Sequence, residues 1–239
     1  MTKSETQKKN RDVREEVRQY VERGRQSDNN LKLGKESFYS CFGKRMVDIF
    51  GGGILLILAS PVILAAWIIV RISSPGPGFF SQKRVGHKKK IICVFKMRSM
   101  YIDHANRVNL KEVNEHQANG LLYKPEVDPR VTPFGQFIRK TSIDELPQLW
   151  NVVKGDMSLV GPRPLMLHMV KPFPEINSLR ALVKPGITGE WQISARDDNT
   201  SIESMTRYDL HYAENYSFKM DMLLLIKTIP AVLKTRGAH

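Results

Sequence analysis

The sequence predicts an α+β fold that is mainly helical: a membrane helix-break-helix that re-enters, amphipathic helices along the interface, and one small β-hairpin. Three observations lead there. Residues 49–70 carry no charge, and Pro61 stands near their centre. Lys and Arg flank that run on both sides. The rest of the chain mixes short strand-like segments with apolar stripes at helical spacing.

Residues 1–38 form the first unit, a polar tail. Val13, Val17, Tyr20 and Val21 give only a thin stripe, and Asn29-Asn30 reads as a linker. No apolar region lies near the start, so no signal peptide is expected. Cys41 and Cys93 are the only cysteines and sit in no CxxC or Cys/His cluster, which argues against a disulfide framework and a structural zinc site. The second unit is 39–239, with the re-entrant hairpin at 46–71.

The 22 residues from Ile49 to Val70 are long enough, at about 1.5 Å each, to cross a hydrocarbon core of about 30 Å. Pro61 lacks the N–H that would bond the Ile57 carbonyl, so a bend is expected there, with the Ser60 hydroxyl placed to serve that carbonyl. Lys44 and Arg45 precede the run, and residues 71–100 hold eight Lys/Arg with no Asp/Glu. Basic flanks favour the cytoplasmic side, and here both flanks are basic, so a hairpin turning at Ser60-Pro61 satisfies both ends. A kinked single-pass helix and a buried core helix are the competing readings. Lys44 and Arg45 would anchor the cytoplasmic end, and Asp48 would pair with one of them at the interface.

Next come two strands, about 79–85 and 91–97, joined at Gly86-His87. Lys96 and Arg98 are candidate phosphate ligands here, with Lys88, Lys89 and Lys90 beside anionic headgroups. A solvated charged hairpin is the plain alternative. Residues 103–128 suggest a helix and a loop, and Pro125, Pro129 and Pro133 an irregular approach to the next helix.

That helix carries Ile143, Leu146, Leu149, Trp150 and Val153 on one face. Pro147 must lie in its first turn, which makes Ser142 or Asp144 the N-cap. Ser142-x-x-Glu145 is a capping box, and on spacing alone capping explains both acids as well as chemistry does. What favours chemistry is the company of Arg139 and Arg163: carboxylates at a helix N-terminus near two cations are held ionised, as a nucleophile or a metal ligand requires. Hard oxygen ligands without His or Cys select magnesium or manganese. Gly161 and two prolines frame Arg163 in a stiff turn suited to gripping phosphate. No GxxxxGK[ST] or GxGxxG is present. Further on, Ile202, Met205, Tyr208 and Tyr212 form one stripe and residues 222–233 another; both suit an interface or ordinary core packing.

A net charge of +13 calls for a polyanionic partner: nucleic acid, an anionic bilayer or phosphorylated substrates. Aromatics are not interleaved with the basic run at 83–90, which argues against nucleic acid. A membrane-tethered nucleic-acid-binding protein and a non-catalytic scaffold remain the alternatives from other classes.

These residues resemble the bacterial sugar transferases, the monotopic phosphoglycosyl transferases. The resemblance covers about residues 40–239 through KRMVD at 44–48, SP at 60–61, FKMRSM at 95–100, the long block at 128–164, VKPGITGEWQIS at 183–194 and YDLHYAENYSFKMD at 208–221. It implies an enzyme of the bacterial inner membrane, on the cytoplasmic face and in a single leaflet. Such an enzyme moves a hexose 1-phosphate, glucose or galactose, from a UDP-sugar to undecaprenyl phosphate with Mg2+. Asp144 would be the nucleophile and Glu145, with Asp144, the metal ligand. Arg139, Arg163 and Lys96 would hold phosphate oxygens. Asp209 would assist metal binding or proton transfer, a surface carboxylate being the alternative. The expected partners are thus UDP-sugar, the polyprenyl phosphate and membrane lipid, with a homodimer compatible and no nucleic acid. Ala195 stands where a glycine is expected, in a loop at 194–201 that would touch sugar or nucleotide.

Overall fold

The computed structural model describes residues 38–103, 106, 128–171, 174–194 and 202–233. The predicted tail up to residue 37, nearly all of the helix and loop foreseen between 103 and 128, and residues 195–201 lie outside the described residues.

A short π-helical turn, Tyr39–Gly43, leads into α1, Lys44–Ser73. Among the described residues, α1 alone is long and apolar enough to cross a membrane. Val47, Gly52, Leu56, Ala59, Ile63, Ala66 and Val70 recur every three to five residues on its inner side and pack onto the rest of the protein. The outer side is equally apolar yet uncovered: Ile57 is 73% exposed and Ile72 81%. A helix apolar all round belongs inside protein or lipid.

Helical backbone persists through Pro61, so the expected break is a proline within one continuous helix. Ser60 Oγ donates to the Ile57 carbonyl at 2.8 Å, serving the acceptor that proline leaves without a partner. Both ends of α1 dock on the same body. At the first, Arg45 donates to the Val152 and Val153 carbonyls, both at 2.7 Å, and Lys44 Nζ meets Asp221 at 2.6 Å. Asp48 does not make the expected direct contact with Lys44 or Arg45, though the Lys44 charge acts on it. It is buried and accepts from Ser158 Oγ at 2.8 Å and the Leu159 N–H at 2.9 Å, because its turn of α1 faces the protein and not the interface.

β1, Phe79–Val85, and β2, Ile91–Met97, pair antiparallel with the predicted limits, Phe79 opposite Met97 and Val85 opposite Ile91. A 3-10 turn at His87–Lys89 joins them, with Lys88 and Lys89 in the left-handed region. Alternation is clear only on β2, where Ile92 and Val94 are buried; no residue of β1 is buried.

α2, Pro133–Lys140, starts at Thr132, whose hydroxyl accepts from the Gly135 N–H at 2.8 Å, with proline at the first helical position. The chain then reverses at Ser142, left-handed at φ 57°, and makes a 3-10 turn, Ile143–Glu145, before α3, Gln148–Lys154. Neither Ser142 nor Asp144 caps α3, since neither side chain makes a capping bond there and Pro147 holds the N-cap position. The extra 3-10 turn also shifts the helical phase: Val152 is fully buried and Trp150 is 53% exposed, outside the stripe assigned to it. Asn151 ties α3 to β2, donating to the Cys93 carbonyl at 2.7 Å and accepting from the Phe95 N–H at 3.0 Å.

β3, Ser158–Val160, and β4, Gly186–Thr188, form a short parallel pair. Between them lie α4, Leu167–Val170, and α5, Pro174–Arg180. After them come α6, Glu190–Ser194, α7, Ile202–Asn215, and α8, Phe218–Leu233. The α7 stripe is core, with Ile202, Met205 and Tyr212 buried. α8 faces both ways, burying Leu224 and leaving Ile226 64% exposed. Asp221 on α8 accepts from Tyr39, Tyr212 and Lys44, fastening the start of α1 to α7 and α8.

Candidate active site

The 3-10 turn Ile143–Glu145 presents two adjacent acids to a floor built from distant segments. β2 brings Lys96, whose Nζ lies 2.7 Å from Glu145 Oε1 and 4.0 Å from Asp144 Oδ2. The turn after β3 brings Arg163, with Nη2 3.1 Å from the same Glu145 oxygen. That turn is stiff for a steric reason. A Cβ on Gly161 would fall 2.3 Å from the Lys184 carbonyl, and one on Gly186 2.1 Å from the Gly161 nitrogen, so only glycines allow the two backbones to cross there. α2 brings Arg139, held by Ser99 Oγ at 2.9 Å and by Asp128, 4.0 Å from its Nη1. Its charge also acts on Asp144.

Electrostatics departs from expectation at Asp144. Burial pushes its carboxyl above the usual carboxylate range; Lys96 opposes this and Glu145 reinforces it. The acids precede α3 on a three-residue turn that supplies no helix dipole, so the cations alone compete with desolvation. Burial likewise lowers Lys96, against the pull of Glu145 and Asp144. Glu145 raises Arg163.

Asp144, Glu145, Lys96, Arg139 and Arg163 therefore converge, as the sequence suggests. Arg98 does not. β2 ends at Met97, so its two-residue alternation stops there, and the Arg98 guanidinium turns to the end of α1. It donates to the carbonyls of Ser74 at 2.8 Å, Pro75 at 2.6 Å and Pro77 at 2.7 Å, and to Val70 at 3.2 Å. Asp209 is buried on α7 in an ion pair with Arg180, so it is not a surface carboxylate. Two arginines absent from the sequence-based candidates stand close by. Arg84 hides in the basic run of the hairpin, and Arg180 carries no motif.

Glu145 and Arg163 line a cavity of about 650 Å³. Apolar side chains from three helices line it too, Leu55 and Ala59 of α1, Leu149 of α3, and Leu225 and Ala231 of α8, with Ser142, Thr188 and Gln192 among the polar ones. Among the described residues no three His, Cys, Asp or Glu side chains gather as a metal cage. The acid pair still fits magnesium, which commonly takes one or two carboxylates and completes its shell with water and substrate phosphate.

The family model described as bacterial sugar transferase matches residues 39–235. A galactosyl transferase, CpsE, of Streptococcus agalactiae is 41% identical over 196 residues, covering 82% of this chain and 43% of the relative. The undecaprenyl-phosphate galactose phosphotransferase of Salmonella typhimurium is 38% identical over 210 residues, 87% of this chain and 43% of the relative. The exopolysaccharide production protein ExoY of Rhizobium meliloti is 35% identical over 202 residues, 82% of this chain and 88% of the relative. The chain thus spans less than half the length of the first two relatives and most of the third.

Proposed function

The chain belongs to the bacterial sugar transferase family, and on that premise we propose that it transfers a hexose 1-phosphate, glucose or galactose, from a UDP-sugar to undecaprenyl phosphate. The observation that carries this is the cavity shared by Glu145 and Arg163 at one side and apolar residues of α1 and α8 at the other. A water-soluble diphosphate and a lipid phosphate can meet there.

In the first half-reaction, Asp144 attacks the sugar-bearing phosphorus. A bond forms from its carboxylate oxygen to phosphorus, the bond to the bridging oxygen breaks, and UMP leaves with the electron pair. Arg163, Arg139 and Lys96 neutralise the charge that builds on the phosphoryl oxygens. Mg2+, held by Glu145 and Asp144, would supply further neutralisation of the diphosphate. In the second half-reaction an oxygen of the lipid phosphate attacks the same phosphorus and frees the Asp144 carboxylate. Such a transfer is the first membrane step of exopolysaccharide, capsule or O-antigen assembly.

The decisive assay measures UMP release from UDP-glucose and UDP-galactose. Without lipid acceptor a burst stoichiometric with protein is expected, and turnover follows once undecaprenyl phosphate is added. No UMP from either donor would sink the proposal. Removing divalent metal with EDTA should lower the rate at least about a hundredfold, with recovery on adding Mg2+. An unchanged rate would discard the metal.

We further propose re-entry of α1 into one leaflet from the cytoplasmic side. Basic flanks on both ends, a proline at mid-helix and the docking of both ends on one body support this. Cysteine-directed labels placed before Lys44 and after Ser73 should react from the same side of the membrane. Reaction from opposite sides would mean a single pass.

A further inference from the structure

Arg163 reaches Glu145 from a turn whose own backbone is gripped by two other arginines. Arg180 Nη2 donates to the Arg163 carbonyl at 2.7 Å, and Arg84 Nη1 donates to the Pro164 carbonyl at 2.8 Å. Each guanidinium is itself held in place. Arg84 Nε donates to Gln82 Oε1 at 3.0 Å, and Arg180, the last residue of α5, pairs with Asp209 of α7. Both side chains of the latter pair are nearly sealed, Arg180 at 6% and Asp209 at 3% exposed.

Taking two opposite charges out of water is costly, and packing alone would be served as well by apolar side chains. What an apolar pair cannot do is hold a backbone carbonyl in a set direction. The Arg180 fork does so with Asp209 on one side and the Arg163 carbonyl on the other. Rotation of that peptide would swing the Arg163 side chain away from Glu145, and a shift of about 1 Å at a phosphate-binding group is enough to weaken binding severely.

We infer that Arg180 and Asp209 are positioning residues that act through the Arg163 carbonyl to aim the Arg163 guanidinium at the donor diphosphate. This rests on the proposed role of Arg163 in phosphate binding.

The test is a double-mutant cycle on the full-length, detergent-solubilised protein, with UDP affinity as the readout and the melting midpoint followed in parallel. Arg163→Lys and Arg180→Lys are each expected to weaken UDP about tenfold, and the double variant no further than Arg163→Lys alone. Should Arg180→Lys fail to fold, Asp209→Asn closes the same cycle with an isosteric change. Effects that multiply would overturn the positioning role, as would a variant that melts earlier yet binds UDP normally. If Arg163→Lys binds UDP as tightly as the parent, the phosphate role of Arg163 falls, and nothing is left for the pair to position. A parent protein that does not bind UDP would take the donor assignment and this role down together.

Discussion

Asp144→Asn is expected to abolish UMP release, by about a thousandfold or more, while leaving the fold intact. The substitution is isosteric, and the amide nitrogen can stay near the oxygen positions that the carboxylate now holds. It removes the lone pair and charge needed to attack phosphorus, and no neighbour can take over. Glu145 is committed to Lys96 and Arg163 through the same oxygen. Because burial already opposes the Asp144 charge, losing that charge should not lower the melting midpoint. A single-turnover experiment with labelled UDP-hexose should find no label on the protein and no burst of UMP. A variant that keeps the burst would dismiss Asp144 as nucleophile. Glu145→Gln should behave differently, reducing the rate and raising the magnesium concentration needed for half-maximal activity.

Arg98→Ala should have the largest effect on stability and none on the chemistry. Its guanidinium serves carbonyls of Val70, Ser74, Pro75 and Pro77, closing the C-terminal end of α1 where several acceptors have no intrahelical donor. A cation at that end is also favoured by the helix dipole. Truncation strands the buried acceptors of Val70 and Ser74, removes the donor from the part-buried ones of Pro75 and Pro77, and opens a void, at a cost of about 3 kcal/mol or more. For a protein of this size that lowers the melting midpoint by about 6–12 °C. Arg98→Lys should fall between, since one ammonium cannot reach acceptors spread around a planar fork. UMP release per folded molecule should be unchanged in both. A weakened donor affinity with an unchanged midpoint would restore Arg98 to the phosphate site.

Lys96 and Arg98 show where the sequence is legible and where it stops being so. The β-hairpin could be read to the residue, because the apolar pattern of β2 and the Gly86-His87 turn are local signals. The use of the Ser60 hydroxyl followed from proline chemistry alone. Beyond Met97 the local period no longer applies, and two basic residues separated by one position go to different places. The acids were visible through their capping pattern, which turned out not to be a cap: a left-handed Ser142 inserts a 3-10 turn that no propensity announces. That turn also explains the misplaced Trp150. Asp209 could not be assigned because its partner, Arg180, is 29 positions away and belongs to no pattern. The stripe on α7 was ambiguous in principle, since apolar periodicity does not say whether protein or lipid covers it.

The two sides of α1 place unlike demands on sequence. Gly52, Ala59 and Ala66 stand where the helix presses on its own protein; a Cβ on Gly52 would already come within 3.0 Å of Val152. Ile54, Ile57, Leu58 and Leu64 face away from it and stay largely exposed among the described residues. Exchange among leucine, isoleucine, valine and phenylalanine should therefore be neutral on the outer side, while one added methyl on the inner side is felt. One helix thus carries two grammars: volume governs the first side, and solvent preference alone governs the second.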